Sequence, residues 1–445
     1  MSRVVVLLPG IMGSELRLDQ ELIWPGSAAS LIFPFKKMKE LLDPNLVATD
    51  IIRSFSISTQ YQALVDDLFA WKFQENQDLF TCPYDWRKRN EDAAAVLAQR
   101  IDEVFAAKGK DAEITIVAHS MGGLVARYYL ESGQFKAHKG FPAVRSLITL
   151  ATPHRGAPLA LTAAMGMEKR LFLSADQVQQ LAKDPRYPAL YQLLPSPHEP
   201  FAWDETSGQE FSPLDIYDDA IAIKLGLATE NMAAAKAFRA ALDNGKPPDG
   251  VRYFYFGGTR QVTTAHVYVR PAAAASKVRK IDVEDAGDGT VPVWSSGLGI
   301  GVQWQPVGGE HGTIYKNDDL RRTLARLLGY TGTLAAAAIE KVEVAVRDQV
   351  TEPGEPVHVA LTFAGGVSKV QGRIRLERAQ INGAGAVTAY APFGKDYPMS
   401  YEGLNAEKLG VTFDAPDIRG IYKVLFESVA GEALGADDLF VQEPG

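Results

Sequence analysis

The chain has 445 residues, of which 46% are hydrophobic and 22% charged, and its formal net charge is -8. This length exceeds what one hydrophobic core usually supports, so we expect two domains. The negative charge, with no basic run beyond Lys36–Lys39, argues against a nucleic-acid partner. The single cysteine, Cys82, excludes an internal disulfide and disfavours a cysteine-based metal site, and we expect no metal and no other cofactor.

The N-terminal run Val4–Leu8 is too short for the core of a signal peptide, and Pro9 and Gly10 follow it at once. We interpret it as a first buried strand. No stretch of the sequence approaches the roughly 18 apolar residues that a membrane-spanning helix needs. We therefore expect a cytoplasmic location.

Up to about residue 330, short β-branched runs alternate with helical patterns, which predicts an α/β domain with a parallel sheet covered by helices. The predicted strands are Val4–Leu8, Leu79–Tyr84, Glu113–Ala118, Val144–Leu150, Val251–Gly257 and Val302–Val307. The predicted helices are Asn90–Ala107, Met121–Leu130 and Asp318–Leu328.

The span from Gly156 to about Gly250 departs from this alternation, with Pro-rich stretches, Ala-rich helical patterns and no clear strand. In a sheet enzyme such an insertion forms either a cap over the site or a peripheral helical subdomain. Composition leaves both open. We predict the cap, with apolar surface presented to a lipid.

After a break at Gly329–Gly332, the residues from Leu334 to Gly445 contain short strand-like segments separated by turn residues. The segments are Val342–Val346, Val357–Phe363, Val370–Glu377, Leu409–Phe413 and Ile421–Glu427. Their spacing predicts an immunoglobulin-like β-sandwich over 334–445, behind a catalytic domain over 1–332. We expect the sandwich to steady the catalytic domain or to bind a protein partner, without supplying a catalytic residue.

The strongest local motif runs from a predicted buried strand into Ala118-His119-Ser120-Met121-Gly122 and then into a helix. A nucleophilic serine needs an exposed Oγ at a tight strand-to-helix turn, flanked by small residues because the backbone passes close to itself there. Ala118 stands where glycine is usual and keeps the side chain small. The motif predicts Ser120 as the nucleophile of an α/β-hydrolase fold.

Such a serine needs a base and an orienting carboxylate, which this fold supplies in the chain order Ser, acid, His. Of seven histidines, only His311 lies near the end of the predicted catalytic domain, in a loop before the last helix. His119 is the second residue of the turn and points away from the nucleophile, and His358 falls in the sandwich. The remaining histidines precede every strong acid candidate, and they are His138, His154, His198 and His266.

Asp288 is the predicted acid, because Gly287 and Gly289 permit a sharp turn that would aim its carboxylate at an imidazole. Asp282 and Asp285 remain rivals. The regular ligand spacing of a calcium-binding loop is missing here.

An oxyanion hole needs two backbone N–H groups, one from the residue after the nucleophile and one from a loop after an early strand. Met121 offers the first of these groups. The loop Leu8–Ser14 offers the second through Met12 or Ile11.

Several of these segments together resemble the lecithin:cholesterol acyltransferase family, which includes related phospholipases A. The resemblance rests on residues 9–16 (PGIMGSEL), 83–87 (PYDWR), 118–123 (AHSMGG), 152–158 (TPHRGAP), 287–292 (GDGTVP) and His311. It covers about residues 1–330, and the Tyr-Asp-Trp-Arg segment is its most specific part. It implies an α/β-hydrolase core, a mobile lid and acyl-ester chemistry on lipids, with Met12 and Met121 as the oxyanion donors.

The chain also departs from that family. It has a single cysteine where the secreted members have cysteine pairs, and we expect neither their signal peptide nor, in them, the C-terminal sandwich predicted here. For Asp85 and Arg87 we favour a site-supporting role, as a partly buried pair bracing the site, over direct catalysis.

The leading hypothesis is a serine esterase or phospholipase with Ser120, Asp288 and His311 as its triad. One alternative is an acyltransferase that moves the acyl group to an alcohol. Another is a scaffold or binding protein whose site is vestigial. The expected partners are a lipid or other acyl-ester substrate and a lipid surface, and no nucleic acid.

Overall fold

The computed structural model describes residues 2–55, 58–59, 61–271, 277–297, 303–332, 342–347, 349–383, 386–429 and 431–442. The strands are β1 (Ser2–Leu8), β2 (Ser14–Leu18), β3 (Glu21–Trp24), β4 (Val47–Ile51), β5 (Ser54–Phe55), β6 (Ser58–Thr59), β7 (Leu79–Thr81), β8 (Ala112–His119), β9 (Val144–Leu150), β10 (Ala202–Asp204), β11 (Arg252–Thr259), β12 (Gln261–Arg270), β13 (Lys277–Gly287), β14 (Gln303–Gly308), β15 (Val342–Val346), β16 (Val350–Thr351), β17 (Pro356–Ile381), β18 (Val387–Asp414), β19 (Gly420–Ser428) and β20 (Ala433–Val441).

The helices complete the inventory of elements. They are α1 (Ala28–Leu31), α2 (Met38–Leu41), α3 (Gln62–Ala70), α4 (Asn90–Lys108), α5 (Met121–Glu131), α6 (Leu159–Ala164), α7 (Ala175–Lys183), α8 (Ala189–Gln192), α9 (Asp219–Lys224), α10 (Thr229–Asp243), α11 (Val293–Ser296) and α12 (Asp318–Leu327), with short 3-10 turns at Phe141–Ala143 and Ile314–Lys316.

A parallel sheet with the strand order β14-β11-β9-β8-β1-β7 forms the centre of the N-terminal part. Its six strands are the six predicted from apolar runs, which confirms the α/β prediction. The predicted start of the last strand, Val302, lies outside the described residues.

Both faces of this sheet are covered, as alternating side chains require. On β1, Val4, Val6 and Leu8 enter one core together with α4 and α5, whereas Val5 and Leu7 enter a second core with α3 and α12. The carboxyl ends of the parallel strands therefore lie between two helical layers, where ligand sites form in such folds.

Among the described residues, three antiparallel additions were not predicted. They are the small sheet β3-β2-β4, the two-stranded pair β5-β6 and the hairpin of β12 and β13. The strand β10 extends the sheet of that hairpin by pairing in parallel with β12. The span 156–250 was expected to have no clear strand, and β10 corrects that expectation; the rest of its regular structure is helical, in α6 to α10.

The C-terminal part is a curled antiparallel unit, which confirms an appended all-β region. Its sheet has the order β15-β17-β19-β20-β16, and β18 pairs with β17. The predicted strands Val357–Phe363 and Val370–Glu377 prove to be parts of one long strand, β17. The sheet curls until β20 passes β15 so closely that a Cβ on Gly435 would lie 2.0 Å from the carbonyl oxygen of Val342. The immunoglobulin-like arrangement stays a prediction.

The C-terminal unit packs against the N-terminal part through its last strand. The Phe440 ring lies edge-on to Phe172, with centroids 5.3 Å apart, and Gln442 donates to the carbonyl of Leu31 at 2.6 Å. Residues 333–341, where the predicted sandwich begins, lie outside the described residues. Within the part of the chain that the structure describes, no helix combines the length and the apolar character needed to cross a membrane; the cytoplasmic location stays a prediction.

Candidate active site

Ser120 occupies a strained turn between β8 and α5. Its φ of 53° and ψ of -127° lie outside the regions that side chains prefer, which is the geometry that lifts a serine Oγ above the end of a sheet. The turn is held by the Ser120 N–H, which donates to the carbonyl of Leu150 at 2.8 Å, and by Thr152 Oγ1, which donates to the Ser120 carbonyl at 2.8 Å. Gly123 has no room for a side chain, because a Cβ there would lie 2.0 Å from Thr152 Oγ1.

The structure brings together the three residues predicted as a triad. The Nε2 atom of His311 lies 2.9 Å from Ser120 Oγ, and its Nδ1 atom lies 2.9 Å from Asp288 Oδ2. The imidazole therefore bridges hydroxyl and carboxyl. His311 lies on the loop after β14, and Asp288 lies on the turn after β13.

Asp288 is buried, at 2% exposure, and the surrounding backbone supplies its hydrogen bonds. Its Oδ1 atom accepts from the N–H groups of Val291 at 2.6 Å and Thr290 at 3.0 Å, while its carbonyl accepts from the His311 N–H at 2.9 Å. An oxygen of a carboxylate only accepts hydrogen bonds, so His311 Nδ1 is the donor to Oδ2. This geometry orients the ring.

The two rival acids lie away from the imidazole. Asp282 accepts a hydrogen bond from the Thr264 hydroxyl at 2.6 Å within the β12–β13 hairpin. Asp285 lies further along the same strand at a φ of 56°. Among the hydrogen bonds of the described residues, neither carboxylate reaches His311, so the geometry favours Asp288.

The predicted oxyanion loop is a tight turn pressed against the nucleophile. The Gly13 N–H donates to the Gly10 carbonyl at 3.1 Å, and a Cβ on Gly10 would lie only 2.7 Å from the Cβ of Ser120. Within the turn, Met12 has a φ of 61° and its carbonyl accepts from Trp24 Nε1 at 2.9 Å. Met121 begins α5, where the first N–H groups lack helical partners. Both positions suit donors to an oxyanion.

The Tyr-Asp-Trp-Arg segment lies behind this loop. Tyr84 donates from its hydroxyl to the Pro9 carbonyl at 2.8 Å, and the Trp86 ring contacts Trp24 with centroids 5.4 Å apart. Tyr84 and Trp24 both support the loop through hydrogen bonds to its carbonyl groups. The motif marked Tyr84, whereas no local signal marked Trp24.

Asp85 and Arg87 form an ion pair at 2.7 Å, in which the Arg87 side chain is fully buried. The guanidinium also donates to the carbonyls of Leu41 and Asp43 and lies 4.5 Å from the centroid of the Tyr187 ring. The pair therefore braces the loop before β4, and it reaches the site only through its neighbour Tyr84.

Buried arginines fasten the insertion to the helix that follows the nucleophile. Arg127 of α5 donates to the Leu242 carbonyl at 3.2 Å. Arg239 of α10 donates to the carbonyls of Gln192 at 2.8 Å and His154 at 3.3 Å. Because unpaired buried carbonyls are costly, these bonds anchor the base of the insertion firmly.

In the described ranges, no group of three or more His, Cys, Asp or Glu side chains could hold a metal ion. Cys82 is buried beyond the end of β7, and burial raises the pKa of its thiol to about 12.

Comparison with known proteins confirms the resemblance read from the motifs. A family model described as lecithin:cholesterol acyltransferase matches residues 41–220. Lecithin-cholesterol acyltransferase-like 4 of Arabidopsis thaliana is 28% identical over 177 residues, which are 37% of this chain and 30% of that protein. The lysosomal phospholipase A and acyltransferase of Homo sapiens is 31% identical over 120 residues, which are 26% of each chain.

A longer match is to phospholipase A(1) LCAT3 of Arabidopsis thaliana, which is 23% identical over 321 residues, or 60% of this chain and 70% of that protein. The chain spans less than a third of the length of the first two relatives.

Proposed function

Because the chain resembles the lecithin:cholesterol acyltransferase family, we propose that it is a serine hydrolase acting on the acyl esters of lipids. Ser120 is the nucleophile, His311 the general base and acid, and Asp288 the residue that orients the imidazole. The observation that carries the proposal is the pair of 2.9 Å contacts that links Ser120 Oγ, the imidazole and the buried Asp288 carboxylate. Three residues from distant parts of the chain meet in one geometry that serves nucleophilic catalysis.

The first half of the reaction forms an acyl-enzyme. Since His311 Nδ1 donates to Asp288, the neutral ring has its lone pair on Nε2, facing the Ser120 hydroxyl. As Ser120 Oγ bonds to the ester carbonyl carbon, its proton passes to Nε2. The N–H groups of Met12 and Met121 then stabilise the negative oxygen. The C–O bond to the leaving alcohol breaks as Nε2 returns the proton to that oxygen.

The second half releases the acyl group. As the oxygen of a water molecule bonds to the acyl carbon, its proton passes to His311 Nε2. The bond between that carbon and Ser120 Oγ then breaks as Nε2 returns the proton to Oγ, which releases a carboxylic acid and restores Ser120. An alcohol in place of water would yield a new ester by the same steps. Acyl transfer is the second candidate function, because two relatives carry acyltransferase in their names.

We assign catalysis to a domain over 1–332 and treat 334–445 as an appended domain. The span 156–250 is proposed as a cap. It enters at the carboxyl edge of the sheet directly after Thr152, whose hydroxyl bonds the nucleophile's own carbonyl. A cap that exposes apolar surface to a lipid should make turnover rise when the substrate aggregates. Equal turnover on dispersed and aggregated substrate would contradict it.

A fluorophosphonate probe tests the central assignment, because it labels only an activated serine. We expect mass spectrometry to locate the label on Ser120, and Ser120→Ala to lose both labelling and ester hydrolysis. Ser132→Ala, at the other end of α5, is the matched control and should be labelled like wild type. Near-normal turnover of Ser120→Ala would overturn the proposal.

Product analysis separates the two candidate functions. The protein is incubated with a mixed panel of phospholipids and neutral lipid esters, with and without long-chain alcohols. Free fatty acid as the main product in both conditions indicates a hydrolase. New esters that form at the expense of fatty acid indicate an acyltransferase.

A further inference from the structure

Beside the triad lies a buried chain of hydrogen bonds that the reaction steps do not use. The Gly10 N–H donates to the Tyr61 hydroxyl oxygen at 2.8 Å. The same oxygen lies 2.8 Å from His119 Nδ1, and His119 Nε2 lies 2.8 Å from the carbonyl oxygen of His311. Tyr61 is 4% exposed and His119 7%, so water does not replace these bonds easily.

The chemistry of the two ends determines the direction of every bond. The His311 carbonyl only accepts, so the proton lies on His119 Nε2. Burial, together with the neighbouring His311, lowers the pKa of His119 to about 3, so its ring is neutral and has a single N–H. Nδ1 therefore accepts from the Tyr61 O–H, which leaves the hydroxyl oxygen to accept from Gly10. Every hydrogen-bonding atom of the Tyr61 and His119 side chains therefore has a partner.

The two ends of this chain belong to the two loops that must flank the nucleophile. Gly10 begins the oxyanion turn, where a Cβ would already lie 2.7 Å from the Cβ of Ser120. At the other end, His311, the proposed base, lies on the loop after β14. Ring contacts hold the links in place, since His119 lies edge-on to Tyr61 at 5.6 Å and 5.1 Å from the His311 ring.

We propose that Tyr61 and His119 are positioning residues whose hydrogen bonds set the distance between the oxyanion loop and the base loop around Ser120. This inference rests on the proposed function, because it assigns these two residues to the same reaction. It predicts a defect in kcat rather than in KM. Neither residue touches the substrate, but misplacing the donors and the base affects the transition state.

Three substitutions remove different hydrogen bonds from the series that runs from Gly10 to His311. Tyr61→Phe removes the hydroxyl. His119→Gln places an amide N–H near Nε2 and keeps only the His311 bond, whereas His119→Asn places an amide oxygen near Nδ1 and keeps only the Tyr61 bond. We expect each to lower kcat by roughly 10- to 100-fold. KM should stay within about threefold.

Double variants distinguish one connected series of hydrogen bonds from hydrogen bonds that act independently. Tyr61→Phe with His119→Gln breaks no link that Tyr61→Phe alone leaves intact, so the double variant should be little slower than that single variant. Tyr61→Phe with His119→Asn removes both ends and should be slower than either. Tyr422→Phe is the matched control, since it removes a buried hydroxyl bonded to the Ile418 carbonyl in the C-terminal unit, and its kcat should match wild type.

Active variants with kcat within about threefold of wild type would overturn the inference while the proposed function stands. A kcat that falls only in proportion to the fraction of folded protein would also overturn the inference. A nitrogen-15 correlation spectrum of the histidine rings tests the chain without any substrate, even if the wild type hydrolyses no ester. We expect His119 as the neutral tautomer with the proton on Nε2 from about pH 5 to 8. A proton on Nδ1, or titration within that range, would overturn it.

Discussion

The central parallel sheet and the long C-terminal hairpin, formed by β17 and β18, differ in how deeply their strands are buried. The strands of the parallel sheet are short and mostly buried, and the carboxyl ends of β8, β9 and β14 lead into the residues that surround Ser120. The strand β18 has 28 residues, of which almost all are exposed or half-buried. Side chains in the central sheet are packed against neighbours on several sides, so we expect substitutions there to reduce activity or stability strongly. Substitutions in the β17–β18 hairpin should have weak effects.

The largest effect should come from Asp288→Asn. The amide cannot hold His311 in the productive tautomer, and kcat should fall by roughly 10⁴-fold. Steady-state kinetics on a soluble ester measure this, with Asp282→Asn and Asp285→Asn as matched controls that should stay near wild type. A large loss in either control with a mild effect at Asp288 would assign the acid elsewhere.

A pair of glycine substitutions tests the contrast between the two regions directly. At Gly123 a new Cβ would lie 2.0 Å from Thr152 Oγ1, whereas at Gly410 on β18 it would meet nothing within 4 Å. Gly123→Ala should therefore lower the free energy of unfolding by about 1–3 kcal/mol and reduce labelling of Ser120. Gly410→Ala should change neither within error. Denaturant unfolding checks both, and equal effects would show that the contrast is wrong.

Removal of the C-terminal unit should have a smaller effect on the chemistry. A chain ending near Gly332 keeps the triad and both oxyanion donors, but it exposes Phe172 and the Leu31 carbonyl, which Phe440 and Gln442 cover. We expect a lower melting temperature and turnover of a small soluble ester within about tenfold of wild type. A truncated protein that is folded and monomeric yet inactive would mean that this unit completes the site.

The smallest effect concerns Glu310, next to His311. Burial, followed by the nearby carboxylates of Asp437 and Glu343, raises its pKa to about 8. The folded state then holds a proton that the unfolded state has lost. Stability should therefore fall as the pH rises from about 4.5 to 8, and stay level above.

Glu310→Gln should flatten this decline, which melting temperatures across that pH range will show. The exposed Glu230→Gln serves as the control and should keep the wild-type slope. A wild-type melting temperature that is constant over the window would contradict the prediction.

Sequence patterns predicted the central sheet well because parallel strands that are buried on both faces appear as continuous apolar runs. The bounds of Val144–Leu150 match those of β9. The three residues proposed as the triad followed from a local turn motif and from chain order. Each of these patterns depends on a few residues that are close together in the sequence.

Features that depend on a distant partner could not be predicted in this way. Val357–Phe363 and Val370–Glu377 were predicted as two separate strands, but between them Gly365 and Gly366, with φ values of 80° and 74°, lie in a bulge of a continuous strand. A glycine pair permits both outcomes, and only pairing with β18 selects one. The Tyr61–His119 contact joins residues 58 positions apart, and nothing near Tyr61 marks it.

Cys82 makes the protein convenient for site-specific labelling. Its thiol is 1% exposed and its pKa is raised to about 12, so it has little of the thiolate that maleimides attack. Leu404→Cys, at a position that is 89% exposed in β18, would place one reactive thiol on the surface without removal of the native cysteine. A fluorophore attached there would report motions of the hairpin in an otherwise unmodified protein.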